Sequence, residues 1–278
     1  MIAPLVSFPF LKRAFVNIVR KINKKVTASK EVAFSQTFLS EQATIQKYSG
    51  PFEYYVVDNV FTEEAYAKIT DYVHSVKNRG LSKTPTNLAF RPFKYVNGYL
   101  EKYGGYFYAP HPNENEVTRF LFSATWNQYV ENLVQVYTNN YISTTLHYHT
   151  AGNPSGWPHS DFQRVYFDEK DLLPSGMRFQ SDSSASASSL TTARGIGVIY
   201  YCCNKLDDED GGGTFLYKNP KEQPFATVAP RNNRLLIFEI SPESFHAFEG
   251  NKKDRLAFVQ WFHRDLEDMR LEFPNNPL

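Results

Sequence analysis

The chain is predicted to be mainly β with flanking helices, an α+β arrangement built around a sandwich or jelly roll. From Tyr141 onward, short apolar runs alternate with turns rich in Pro, Gly, Asn and Asp, which is the texture of successive short strands. Before Tyr141, two stretches carry apolar residues at helical spacing. Aromatic residues are abundant, with 23 Phe and 18 Tyr, and such side chains favour pleated surfaces. About eight strands joined by Pro/Gly turns build a two-layer sandwich or jelly roll.

Size and composition narrow the classes. At 278 residues and 42% hydrophobic content, the chain fills one large core. No long linker divides its middle, so residues 1–50 are read as an N-terminal extension and residues 51–278 as a single domain. A net charge of +1 gives no global electrostatic case for nucleic acid. The only cysteines, Cys202 and Cys203, are adjacent and poorly placed to pair, which points to a reducing, cytoplasmic setting. No apolar run approaches the ~20 residues of a membrane span.

The extension differs in character from the rest of the chain. Leu11, Phe15, Ile18 and Ile22 recur at helical spacing among Lys12, Arg13, Arg20, Lys21, Lys24 and Lys25, and no acidic residue precedes Glu31. Residues 8–25 thus read either as a basic amphipathic helix, suited to weak membrane-surface contact or organelle targeting, or as a helix packed on the domain.

Glu53–Val57 reads as a strand and Asp58-Asn59 as a turn. Thr62 is a good helix N-cap, with Glu63 and Glu64 where the dipole favours anions. Phe61, Ala65, Ile69, Val73 and Val76 mark one helical face, which ends at Arg79-Gly80. Residues 81–115 read as short strands and loops, and the aromatic-rich stretch 88–111 is expected to help shape a substrate site. A second helix is expected from Val117 to about Val136.

Ile142–Thr150 is the first strand of the β-rich half, and a Gly/Pro loop then leads into an extended Trp157–Phe162. Residues 163–194 read as an insertion containing the polar run Ser181–Ser189, expected to form part of a lid. Gly195–Cys203, Thr214–Tyr217, Phe225–Val228, Arg234–Glu239 and Arg255–Phe262 complete the strands.

The chemistry centres on Trp-Pro-His-Ser-Asp, residues 157–161. On an extended backbone His159 and Asp161 point to one face, so an imidazole nitrogen and a carboxylate oxygen can reach one ion. His246, downstream in Ser-Phe-His-Ala-Phe, supplies a third ligand. Two histidines and one carboxylate hold one face of an octahedron and leave the rest open, a set suited to non-haem Fe(II). Arg255 lies on the next apolar strand, and its planar guanidinium matches a carboxylate. The bland alternatives are a His–Asp pair at a sheet end and an Arg255–Asp254 surface pair.

Taken together, Tyr148–Asp161, Val198–Asn204 with Gly211–Gly213, Val228–Phe238, and Phe245-His246 through Arg255–His263 resemble the Fe(II)/2-oxoglutarate-dependent oxygenases, in their prolyl-hydroxylase-like branch. The resemblance implies a double-stranded β-helix. It implies His159, Asp161 and His246 as Fe(II) ligands, and Arg255, Tyr201 and Tyr148 as 2-oxoglutarate contacts. Tyr201 rests on aligning Ile199-Tyr200-Tyr201, whereas aligning on Asn204 selects Cys202. Trp261 and Phe215 are expected to line the pocket.

The implied activity is a dioxygenase that uses O2, hydroxylates an unactivated C–H bond of a protein side chain or amino-acid-like metabolite, and releases succinate and CO2. Ascorbate is a further cofactor that the resemblance admits. A catalytically silent β-scaffold that binds a partner is the alternative. His147 and His149 share a strand face, which also leaves a second metal site open.

Overall fold

A computed structural model of the chain describes residues 38–81, 89–92, 105–168, 171–180, 190–276 and 278. The basic helix expected over residues 8–25 lies outside the described residues, as do most of 88–104 and the Ser181–Ser189 run.

In order, the elements are β1 (Thr44–Tyr48), β2 (Tyr54–Asp58), α1 (Glu63–Asn78), β3 (Arg91–Pro92), β4 (Gly105–Tyr108), α2 (Glu116–Leu121), α3 (Ala124–Val134) and β5 (Tyr141–His149). Next come β6 (Arg164–Phe167), β7 (Arg178–Phe179), β8 (Leu190–Tyr201), β9 (Thr214–Tyr217), β10 (Ala226–Val228), β11 (Arg234–Glu239), β12 (Phe245–Phe248), β13 (Arg255–Arg264) and α4 (Leu266–Glu272). The large sheet runs β1-β2-β11-β8-β13-β5-β4-β3, with β6 on β8 and β7 on β5. The small sheet runs β10-β9-β12. This is the expected mainly β, jelly-roll architecture.

Strand alternation sorts the large sheet's side chains into two cores. Tyr55, Val57, Val198, Tyr200, Leu235, Ile237, Leu256 and Phe258 face α1, α2 and α3, while Tyr54, Val56, Ile199, Tyr201, Leu236, Phe238 and Ala257 face Leu216 and Val228 of the small sheet. The helices therefore back the large sheet, and the space between the sheets is left for chemistry. Gln260 pins the backing helices: it accepts from Trp126 Nε1 at 2.8 Å and donates to Leu121 O at 3.0 Å and Thr144 Oγ1 at 2.8 Å. Among the described residues no helix is long and apolar enough to cross a membrane.

Several expectations need correction. The single helix from Val117 to Val136 is two, because Ser123 accepts from Trp126 N at 3.1 Å and starts a new helix. The strand expected from Gly195 begins at Leu190 and pairs with β6, so both ends of the expected insertion belong to the sheet. Strands β1 and β12 and helix α4 are additions to the elements expected. Thr62 caps α1 as expected, accepting from Ala65 N at 3.2 Å.

Candidate metal centre

His159 and Asp161 sit on an extended segment that is not a ladder strand, a correction to the strand expected over Trp157–Phe162. Pro158 has no N–H to give to a neighbour. One isolated antiparallel bridge holds the segment, between His159 and His246 of β12. His159 N donates to His246 O at 3.0 Å, and His246 N donates to His159 O at 2.9 Å. The bridge places two histidines directly opposite each other, with ring centroids 4.6 Å apart. Asp161 joins them by strand parity. One ligand atom from each of His159, Asp161 and His246 lies within 4.8 Å of the others, the one such group among the described residues.

The local hydrogen bonds prepare both rings as metal ligands. His159 Nδ1 is 3.1 Å from Trp157 O, and His246 Nδ1 is 3.1 Å from Ser244 O. A carbonyl only accepts, so each Nδ1 carries a proton, which leaves Nε2 as the nitrogen turned towards the cluster. Metal-binding histidines are commonly oriented in this way. Desolvation, and then the facing His246, lowers the His159 pKa, so the ring is neutral and free to ligate at neutral pH. His246 Nε2 lies 3.5 Å from Asp161 Oδ2. The donor set thus fits Fe(II) in composition and spacing.

Asp161 is held from both sides. Arg194 Nη1 donates to its Oδ1 at 2.6 Å, and Trp261 Nε1 donates to its Oδ2 at 2.6 Å. The Arg194 guanidinium also lies over the Trp261 ring, 3.9 Å from the centroid. Burial alone would raise the Asp161 pKa, but Arg194, then His246 and His159, hold it well below the carboxylate range. Trp261 therefore lies against the cluster. Arg194 is not anticipated from the sequence, because a strand begun at Gly195 leaves it in the insertion. An arginine bordering a near-continuous apolar run is the available signal.

Arg255 occupies the other end of the compartment, 3% exposed. Its Nε donates to Gly212 O at 3.1 Å, and its guanidinium lies 5.3 Å from the ring centroids of both Tyr201 and Phe248. Among the described residues no carboxylate pairs with it. Asp254 is taken instead by Lys77 at 2.9 Å and by the Tyr148 hydroxyl at 2.8 Å. A buried cation without an anion is costly, and this one suits the carboxylate of a 2-oxo acid.

Strand parity settles the aromatic candidates. Tyr201 faces inward beside Arg255, with its hydroxyl 2.6 Å from Thr214 Oγ1, whereas Tyr200 and Cys202 face the helices. Tyr148 is corrected: it pairs with Leu256 on the helix-facing side and packs on Phe90 at 5.3 Å. Phe215 is corrected too. Its neighbours Thr214 and Leu216 point inward, so alternation turns Phe215 to the outer face of the small sheet. The inward residues of β5 are His147 and His149, opposite Ala257 and Arg255. His149 stacks on Phe248 with centroids 3.9 Å apart. No second metal cluster forms around these rings among the described residues.

Residues 144–263 match the family model described as the 2OG-Fe(II) oxygenase superfamily. No curated protein matches the chain. A prolyl-4-hydroxylase of Pseudomonas putida is similar in fold, with a TM-score of 0.52 and 15% identity over 76% of this chain and 92% of that one. A prolyl hydroxylase of Trichoplax adhaerens, solved with a peptide fragment of the hypoxia inducible factor oxygen degradation domain, gives a TM-score of 0.49 and 15% identity over 78% of this chain and 86% of that one. The viral collagen prolyl hydroxylase of Paramecium Bursaria Chlorella virus-1 gives 0.47 and 12% identity over 76% and 96%.

Residues 144–263 thus carry the match to the 2OG-Fe(II) oxygenase superfamily, and the fold is that of a prolyl-4-hydroxylase. The protein is a 2-oxoglutarate-dependent dioxygenase, and the cofactors of its family are Fe(II) and 2-oxoglutarate.

Proposed function

We propose that the protein hydroxylates an unactivated C–H bond in a protein side chain or an amino-acid-like metabolite, with His159, Asp161 and His246 as the iron ligands and Arg255 as the co-substrate anchor. The observation that carries this reading is the pairing of a two-histidine, one-carboxylate cluster with a buried arginine that has no carboxylate partner among the described residues. A merely structural His–Asp pair needs no such cation beside it. When bound, Fe(II) and 2-oxoglutarate would activate O2, one oxygen atom going into the succinate formed with loss of CO2 and the other onto the substrate C–H bond.

The chain's residues contribute position and charge. The His159–His246 bridge sets the spacing of the two imidazoles, and the Trp157 and Ser244 carbonyls fix their tautomers. Arg194 and Trp261 keep Asp161 ionised and limit its rotation. Arg255, steadied by Gly212 and flanked by two rings, orients the co-substrate by its far carboxylate. Trp157, 39% exposed two residues before His159, offers substrate an apolar surface.

The test is succinate formation by Fe(II)-loaded protein given 2-oxoglutarate and O2, beside a His159→Ala control. Turnover in the wild type that is lost in the control is expected. Failure of the wild-type protein to bind either Fe(II) or 2-oxoglutarate would overturn the reading in favour of a binding scaffold.

A further inference from the structure

The inward face of β5 is polar along its length: Ser143, Thr145, His147 and His149 stand opposite Trp261, Val259, Ala257 and Arg255 of β13. Core faces between sheets are ordinarily apolar, and the other face of β5 obeys that rule, with Ile142 and Leu146 fully buried. Thr145, His147, Val259 and Trp261 nevertheless keep accessible surface although they point into the molecule. They line an interior space and not a packed core.

His147 stands between the two anchors of that space. Its ring lies within electrostatic reach of Arg255, Asp161, Arg194 and His159. Its register opposite Ala257, with Arg255 and His149 as the next inward pair, places it one step from Arg255 towards Trp261. Trp261 is the residue bonded to Asp161. The ring is also braced, with Nε2 2.8 Å from Thr145 Oγ1.

We propose that His147 contacts the 2-oxo acid along its length, between the carboxylate held by Arg255 and the end that meets the metal. The proposal rests on the co-substrate reading of Arg255 and the metal cluster. Burial, and next the Arg255 cation, push the His147 pKa down to about 3, so at neutral pH the ring is a neutral hydrogen-bonding partner and adds no charge to the compartment. A histidine here gives the chain a polar co-substrate contact in addition to its arginine, and that contact distinguishes acids by where their oxygens lie.

The test is anaerobic calorimetry of 2-oxoglutarate binding to the full chain loaded with Mn(II), a redox-inert stand-in for Fe(II), in wild type, His147→Ala, His147→Asn and Arg255→Ala. Mn(II) affinity and thermal midpoint are measured first, to show that each variant keeps its fold and its metal site. His147→Ala is expected to weaken 2-oxoglutarate about tenfold, as loss of a hydrogen bond to a charged ligand does, with Mn(II) affinity unchanged. His147→Asn, which keeps a polar group near Nδ1, is expected to recover part of the loss. Wild-type affinity in His147→Ala, alongside lost binding in Arg255→Ala, would overturn the role of His147 and leave the co-substrate reading intact. If the wild type bound no 2-oxoglutarate, the co-substrate reading itself would fall. Should His147→Ala not fold, His147→Asn with wild-type thermal midpoint decides: affinity below wild type supports the contact, and affinity below wild type by the same factor for succinate, which lacks the oxo group, would reduce the role to general packing and overturn it.

Discussion

Arg194 Nη1 lies 2.6 Å from Asp161 Oδ1, and the two side chains are only 15% and 11% exposed. The carboxylate of the proposed metal cluster is thus already neutralised by a fixed cation on one oxygen. Removing one partner of a buried pair strands the other charge. Arg194→Gln is expected to destabilise the metal-free protein by about 3–5 kcal/mol, read from urea unfolding.

The same pair sets an acid limit. Asp161 ionises well below its ordinary range, so the native state binds fewer protons there than the unfolded chain. Its contribution to stability is complete above the unfolded pKa of ~3.9 and is lost as pH falls through the lower native value. Arg194→Gln raises that native value, so acid unfolding of the variant is expected at higher pH than in wild type, followed by circular dichroism.

Trp261→Phe keeps an aromatic ring but removes the N–H bonded to Asp161 Oδ2. Partners that orient a ligand typically contribute 10–100-fold in affinity. The variant is expected to lose about that much Fe(II) or Mn(II) affinity, measured by competition with a chelating dye. Wild-type affinity would show that Arg194 alone orients the carboxylate.

Two tyrosine variants separate the faces of the large sheet. Tyr201→Phe removes the hydroxyl beside Arg255 and Thr214 and is expected to weaken 2-oxoglutarate by roughly threefold to tenfold. Tyr148→Phe breaks only the bond to Asp254 on the helix-facing side, and co-substrate affinity is expected to hold. Equal losses in both would contradict the assigned orientation.

Gly211 has φ +69°, and a Cβ there would run into the Gly250 carbonyl oxygen. Its turn also sets Gly212 against Arg255. Gly211→Ala is expected to cost at least about 1–3 kcal/mol from backbone strain and to weaken 2-oxoglutarate binding as the turn shifts. A thermal melt and the same calorimetry check both.

Much of this is legible in the sequence because strand periodicity and ligand spacing are local. Arg234–Glu239 has the bounds its apolar run predicts, and His159, Asp161 and His246 come together as parity requires. The features that escape sequence reading depend on partners distant along the chain. β12 has only four residues and carries too short a pattern to stand out, although it delivers His246. Tyr148 attracts notice for its residue type, but its face is decided by the register with β13, which turns His147 and His149 inward. Arg194 matters only because Asp161 lies beside it, and no spacing along the chain announces that neighbour. Ser123 shows the same limit on a smaller scale, since apolar periodicity runs through the point where its hydroxyl starts a new helix.

The isolated bridge between His159 and His246 has a consequence for the order of folding. The bridge joins two segments separated in sequence by β6 to β11, so it is expected to close a long loop late in assembly. An ion captured there arrives on a scaffold that is already built. Metal should therefore lengthen the lifetime of the native state, by slowing its unfolding, and leave the rate of refolding almost unchanged.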